Sequence, residues 1–304
     1  MKTKIACLLT LLAFMMASCN SDDDGLERPS NKPNTSTNVN KNANPSTNKA
    51  YQRLEVPKIK GTAENLVVVH STLEHGVNYI LEWDCQKKSQ RWSCYTLDES
   101  NSSKNISRWY ADKGESQYPW DPNIPRAYTH SSDPYYGSGY DHGHICPSYD
   151  RLNSLEAQKQ TFYLSNMQPQ RNLFNAKLWQ EMEKRVSSIK PGGWNTKNFR
   201  DTLYICKGGT IDNQNQILLV TSSGLIVTKY FFMAILCKNK QGYKAIGFWV
   251  EHLNEDRSND NLIDYVVSID ELERLTGIDF FCNLPDDEEE QAERIVYPNT
   301  WGFR

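Results

Sequence analysis

Residues 229–237 read Lys-Tyr-Phe-Phe-Met-Ala-Ile-Leu-Cys, an apolar run with no polar alternation. It is far too short to span a bilayer, which takes about 20 residues. It has strand length, and a strand without a polar side belongs in a sheet covered on both faces. Tyr243–Val250 is a second such run, and Leu66–His70, Val77–Trp83, Arg91–Leu97, Thr202–Lys207 and Ile217–Thr221 are further strand candidates. The cover must come from helices. Asn172–Ile189 carries Leu173, Phe174, Leu178, Trp179, Met182 and Val186 at three- and four-residue spacing before Pro191-Gly192-Gly193. Ser268-Ile269-Asp270-Glu271 opens a second helix with a capping-box pattern, and Gly277 is placed to stop it. The expected fold is α+β (mixed α/β), with a central, mostly antiparallel sheet and helices on its faces. Between Ser107 and Pro147 the abundance of Tyr, Pro, Asp, Gly and Ser predicts a long ordered loop, and long loops in compact domains tend to be functional.

The first fifty residues read differently. Lys2 and Lys4 precede the apolar stretch Ile5 to Ala17, the pattern of a secretory signal. Met16-Ala17-Ser18-Cys19 resembles the bacterial lipobox, in which Cys19 would carry the lipid that anchors the chain to a membrane. The acidic Asn20-Ser21-Asp22-Asp23-Asp24 that follows resembles an export signal to the outer face of the outer membrane. Residues 20–50 hold eight Asn and ten Ser, Thr or Pro, too polar to offset the entropy of ordering. As a flexible chain they would reach roughly 30 Å. The expected organisation is therefore a lipoprotein-type signal at 1–18, a flexible tether at 19–50 and one domain at 51–304. The expected destination is export, as a surface-exposed outer-membrane lipoprotein.

Charge decides little. The 254 residues of the domain hold 28 bases and 33 acids, a net −5, and six of the acids sit in Asp286–Glu293. Neither a nucleic-acid partner nor its absence follows. Six cysteines remain beyond Cys7 and Cys19, at 85, 94, 146, 206, 237 and 282. In an exported chain an even number predicts disulfides, and the hairpin position of Cys85 and Cys94 makes them the expected pair. No Cys-x-x-Cys pair is present, which argues against a zinc ribbon.

Two segments concentrate chemistry. In SGYDHGHICPSYDR (Ser138 to Arg151), His142, His144 and Cys146 alternate, so a strand would turn all three to one face. That suits a soft metal such as zinc, or a turn with surface histidines. In the second segment, SNMQPQRNLFNAKLWQEMEKR, Asn166 and Gln170 precede a helix on which Asn175, Trp179 and Glu183 recur every four residues. At about 100° per residue they drift only ~80° around the axis. An amide oxygen and a carboxylate on one face can serve a hard cation directly and through its waters. They can equally be a helix cap and a solvated acid.

Together these segments resemble the DNA/RNA non-specific endonucleases, a family with a ββα-metal active site. The likeness extends to RWSCYTL at 91–97, Arg108-Trp109 ahead of Asp121-Pro122-Asn123-Ile124-Pro125, LYICKGGTI at 203–211 and SIDELERLTGIDFFCNLPD at 268–286. The resemblance implies a one-metal phosphodiesterase acting on DNA and RNA, with Mg2+ as cofactor and Mn2+ as a substitute. His144 matches the general base, Asn175 the direct metal ligand, and Glu183 the carboxylate that orients metal-bound water. Arg108 matches the phosphate-holding arginine. Asn166 and Gln170 match supporting or substrate-contacting amides, and Asp141 is expected to shape the turn and fix a neighbour. One departure stands out, because His142 occupies the position where the family carries arginine. A second charged phosphate contact is then lost or pH-dependent, and Arg126 or Arg151 is the expected substitute. No base-reading module is present, so recognition would run through the backbone phosphates, which carry no sequence information. The alternative is a surface lipoprotein that binds nucleic acid with lost or weak catalysis.

Overall fold

In a computed structural model of the chain, residues 37–43 and 48–304 are described. The signal segment, Cys19 and most of the expected tether lie outside these residues. The strands in chain order are β1 (Asn65–Thr72), β2 (Gly76–Asp84), β3 (Ser89–Leu97), β4 (Asp141–His144), β5 (Met167–Gln170) and β6 (Thr202–Gly209). They continue as β7 (Ile217–Val220), β8 (Ile226–Thr228), β9 (Tyr230–Asn239), β10 (Gly242–Glu251) and β11 (Val266–Val267). Seven form one sheet in the order β1-β2-β3-β6-β9-β10-β11, and every pairing is antiparallel. The expected mixed α/β architecture is the observed one. The run at 217–221 differs in one respect: β7 pairs only with β8, away from the large sheet, and Leu218, Leu219 and Val220 are exposed.

Strand β9 shows why its sequence lacks alternation. Phe231, Met233, Ile235 and Cys237 enter one core layer, while Phe232, Ala234 and Leu236 enter the other. The first layer is closed by the helical stretch holding Phe174, Leu178, Trp179, Met182 and Val186, and by Trp194, Trp301 and Phe303 from further along. The C-terminal residues therefore pack on the core, and the Trp194 indole Nε1 donates to the Trp301 carbonyl at 2.9 Å. The second layer is closed by the α-helices at Ile269–Thr276 and Asp286–Glu293. The first of these begins and ends as its sequence predicts. Ser268 Oγ accepts from Glu271 N at 3.1 Å, and Gly277 takes the left-handed conformation at φ 69°.

Two expectations are corrected here. Packing does not begin at residue 51. Asn42 is buried with its amide donating to the carbonyls of Tyr51 and Pro57, and Asn40 reaches Asp279 and Glu289. Asparagines that read as tether are here hydrogen-bonding anchors along residues 38–42. The Cys85–Cys94 staple is also absent. Cys85 lies in the first core layer and Cys94 in the second, on opposite sides of the sheet, and all six domain cysteines are buried free thiols.

Arg151, expected as a spare phosphate contact, is a core residue. Its guanidinium donates to the carbonyls of Asn78, Thr96 and Asp150, and it is only 2% exposed. Replacement by alanine strands three buried acceptors, so Arg151→Ala should cost about 3 kcal/mol of stability in a denaturant titration. An unchanged midpoint would show that water replaces the guanidinium.

Candidate active site

The short strands β4 and β5 pair in antiparallel register, with His144 opposite Met167 and Asp141 opposite Gln170. A helical stretch follows immediately, giving a ββα unit. Gly143 is required by a close approach, because a Cβ there would lie 2.3 Å from the Gln170 side chain. Gln170, expected at the substrate, is fully buried behind that glycine. Asn166 is likewise fully buried. Its Nδ2 donates to the carbonyls of Cys146 (2.9 Å) and Thr161 (2.8 Å), and its Oδ1 accepts from Cys146 N at 2.9 Å. With its amide engaged on both ends, Asn166 clamps the chain just after His144 and does not reach the cleft.

The helix after β5 starts with a wide π turn at Phe174–Trp179 and becomes α-helical at Gln180–Val186. It stops three residues earlier than its pattern predicts, where Ser188 takes φ 60°. A π turn advances less per residue around the axis than an α turn. That brings Asn175 and Glu183 closer to one line than the ~80° drift of an α-helix. The helix start is anchored from outside. His252 Nε2 accepts from Arg171 N at 2.7 Å, its Nδ1 lies 2.9 Å from the Thr228 carbonyl, and Asn254 Oδ1 accepts from Leu173 N at 3.1 Å. These contacts satisfy backbone donors that a helix N-terminus leaves open. Burial pushes His252 down to about 4, which keeps Nε2 an acceptor at neutral pH.

These elements converge on a cleft of about 550 Å3 lined by Arg108, Tyr118, Asp141, His142, His144, Asn175 and Glu183, among others. His144 stands edge-on to Phe162, with centroids 5.0 Å apart, and its Nε2 has no hydrogen-bond partner among the described residues. Burial, reinforced by the Arg108 charge, holds its pKa down to about 3. The ring is therefore neutral at pH 7 and keeps a lone pair. Arg108 is exposed, lies 4.8 Å over the Phe162 ring and donates to Ser148 Oγ, leaving most of its donors free. Asn175 Nδ2 donates to Asp141 Oδ2 at 3.0 Å, and Asn172 Nδ2 reaches the same oxygen at 3.2 Å. Asp141 thus fixes the Asn175 amide, whose carbonyl oxygen has no partner among the described residues.

Two charged side chains that the sequence did not single out hold residues of the cleft from behind. Lys207, on β6, is almost fully buried and donates to Glu183 Oε1 at 2.6 Å, with its ammonium 4.9 Å over Trp179. Burial pushes the Glu183 carboxyl up, and Lys207 opposes that rise. The signal was available, since a lysine breaks the apolar run of β6. The second is Asp133, in the long loop, with an oxygen 3.1 Å from His142 Nε2. His142 is stacked between Tyr118 (centroids 3.7 Å) and Tyr135 (4.2 Å). Burial lowers its pKa against the pull of Asp133. It is thus a neutral ring held in a sandwich, and the charge that an arginine would supply there is missing. Arg126 does not replace it at the cleft: its guanidinium sits 4.0 Å over Trp120, bonds Thr129 and lines a separate groove with Lys87, Lys88 and His130.

The donor set suits a hard cation. Asn175 offers a free amide oxygen and Glu183 a carboxylate, the oxygen ligands that Mg2+ takes alongside retained waters. A soft-metal site is not assembled. Cys146 turns into the core after β4 ends, and burial pushes its thiol up to about 12, away from the thiolate that zinc requires.

Residues 67–287 match the profile of the family described as DNA/RNA non-specific endonuclease. A mitochondrial nuclease EXOG from Xenopus laevis is 28% identical over 221 residues, which cover 69% of this chain and 58% of that protein. This chain therefore corresponds to little more than half of the frog protein's length. Nuclease C1 from Cunninghamella echinulata is 24% identical over 68% of this chain and 81% of its own. The mitochondrial nuclease of Saccharomyces cerevisiae is 28% identical over 66% and 67% respectively. A chain from the crystal structure of the EndoG/EndoGI complex superimposes with a TM-score of 0.58 over 72% of this chain and 87% of its own, at 20% identity, a likeness of fold.

Proposed function

Since the chain belongs to the DNA/RNA non-specific endonuclease family, we propose that it is an exported, divalent-metal-dependent endonuclease that hydrolyses DNA and RNA without sequence selection. The single observation that carries this reading is one cleft holding an unpartnered neutral imidazole, a fixed amide oxygen and an exposed guanidinium. The His144 imidazole takes the proton of the attacking water, which a base largely neutral at pH 7 can do. Arg108 offers paired donors to the non-bridging phosphate oxygens. Asn175 would hold Mg2+ through its amide oxygen, and Glu183 would orient that ion's waters. When bound, the cation offsets charge on the phosphorane and on the departing 3′ oxygen, so the products carry 5′-phosphate ends. With His142 neutral, phosphate holding rests on Arg108.

The test is digestion of plasmid and of RNA with Mg2+, with Mn2+ and with EDTA. Cutting of both substrates, abolished by EDTA, is expected, and Asn175→Ala should raise the Mg2+ needed by ~10-fold or more. Binding without cutting by the folded wild-type chain would overturn this in favour of a nucleic-acid-binding lipoprotein.

Anchoring is a separate part of the proposal. The attachment proposed is lipidation of Cys19; among the described residues no helix is long and apolar enough to cross a membrane. The full chain should fractionate with membranes and Cys19→Ala should not; equal fractionation would exclude the lipid.

A further inference from the structure

On the sheet face opposite the cleft, α3 (Ile269–Thr276) packs beside α4 (Asp286–Glu293), taking Leu155–Gln160 as α1 and Gln180–Val186 as α2. Asp270 and Glu273 from α3 and Glu293 from the end of α4 bring carboxylate oxygens within 4.8 Å of one another. Glu293 is only 5% exposed, and its Oε1 is sealed from solvent with no hydrogen-bond partner among the described residues. Native proteins rarely leave a buried oxygen of this kind unsatisfied. Asp279 and Glu289 crowd the same region, both held by the Asn40 amide.

None of these five acids forms a salt bridge among the described residues. Of the bases on these elements, Arg274 pairs with Glu271, and Lys58 Nζ donates to the carbonyls of Asn40 and Lys41. Glu293 also ends α4, where the helix dipole adds negative charge. Such a group must take up protons or a cation. We propose that Asp270, Glu273 and Glu293 form a Ca2+ site that ties α3 to α4 and is separate from the nuclease cleft.

Calcium fits better than magnesium. Ca2+ takes carboxylate oxygens at about 2.3–2.6 Å in a flexible shell, which suits carboxylates fixed on two separate helices, whereas Mg2+ demands a near-ideal octahedron at about 2.0–2.1 Å. Without an ion, burial and the neighbouring carboxylates push Glu273 up to about 8 and Glu293 up to about 10.

The experiment is thermal unfolding of the full chain at pH 8 with CaCl2, with MgCl2 and with EDTA, beside Glu273→Gln/Glu293→Gln. Calcium should raise the melting temperature of the wild type in a saturable way and more than magnesium does. The double variant should lose that response, melt no lower than the wild type in EDTA, and cut nucleic acid at the wild-type rate with Mg2+. Because the variant keeps the cleft, calcium bound there cannot mimic the result. Asp270→Asn, at an exposed position, should keep the fold and weaken the calcium response by ~10-fold. A wild type indifferent to calcium, or a double variant with the full response, would overturn the site and mean that the carboxyls hold protons instead. If the double variant fails to fold, Asp270→Asn decides: an unchanged calcium response there rejects the site.

Discussion

His144→Ala is expected to lower the turnover of DNA cleavage by ~10²–10⁴-fold, the range that a positioned base contributes. The magnitude rests on the ring's situation. Its Nε2 is buried and has no hydrogen-bond partner among the described residues, so alanine orphans no group at that nitrogen. The side chain meets Phe162 and Tyr118 edge-on, and losing those contacts affects stability modestly. On the proposed roles, phosphate and metal are held by Arg108, Asn175 and Glu183, so KM and metal dependence should stay near wild type while kcat falls. Steady-state kinetics at saturating Mg2+ separates the two quantities. A variant retaining more than a tenth of the rate would place the base elsewhere. The pH profile follows from the same geometry. Since burial holds the His144 pKa near 3, the acid limb of kcat/KM in the wild type should lie below the ordinary imidazole value of about 6.5. A limb at 6.5 or above would show that bound phosphate, or solvent entering the cleft, restores the imidazolium.

The large sheet was legible because burial on both faces writes itself into sequence as unbroken apolar runs, of which β9 is the plainest. The ββα unit was legible only through its likeness to a family. Asp-His-Gly-His and Met-Gln-Pro-Gln are too short and too poor in strand-forming residues to announce β4 and β5, and Pro169 is tolerated because this ribbon has only two strands. The acidic run Asp286–Glu293 entered the sequence reading only as charge, and it folds as a helix. Four of its acids occupy the first turn, where they complement the dipole, and Ala292 and Glu293 turn inward. The residues assigned to the site divide by burial. Asn166, Gln170 and Arg151 matched polar positions of interest, but their carbonyl partners, or their place behind Gly143, are tertiary facts. His142 illustrates the same limit. Its departure from arginine was visible, but Tyr118, Tyr135 and Asp133, which hold it, come from a loop whose path no local pattern encodes.

Lys207 is the buried counter-charge of Glu183, and Lys207→Met is expected to damage stability and catalysis together. The methionine keeps the apolar stem against Trp179 and removes only the charge. Glu183, whose side chain is 20% exposed, then faces burial without its counter-ion. Removing one partner of a buried pair is costly because the other stays desolvated; with this partial exposure about 2 kcal/mol at neutral pH is expected. The sign of the pH dependence distinguishes this from a simple packing defect. Burial already raises the Glu183 pKa, and loss of Lys207 raises it further. A carboxyl with a raised folded-state pKa contributes its stability below its unfolded value, about 4.3, and loses it as pH rises through the folded one. The deficit of the variant should therefore shrink toward pH 5 and widen toward pH 8 in denaturant titrations. Activity should move the opposite way. On the proposed role the ionised carboxylate orients metal-bound water, so the acid limb attributable to Glu183 should shift upward and the variant should regain rate as pH increases. Adding Glu183→Gln to Lys207→Met should recover most of the lost stability while leaving the enzyme slow, because the neutral pair no longer buries an unpaired charge. A double variant as unstable as Lys207→Met would assign the role of Lys207 to packing against Trp179 instead.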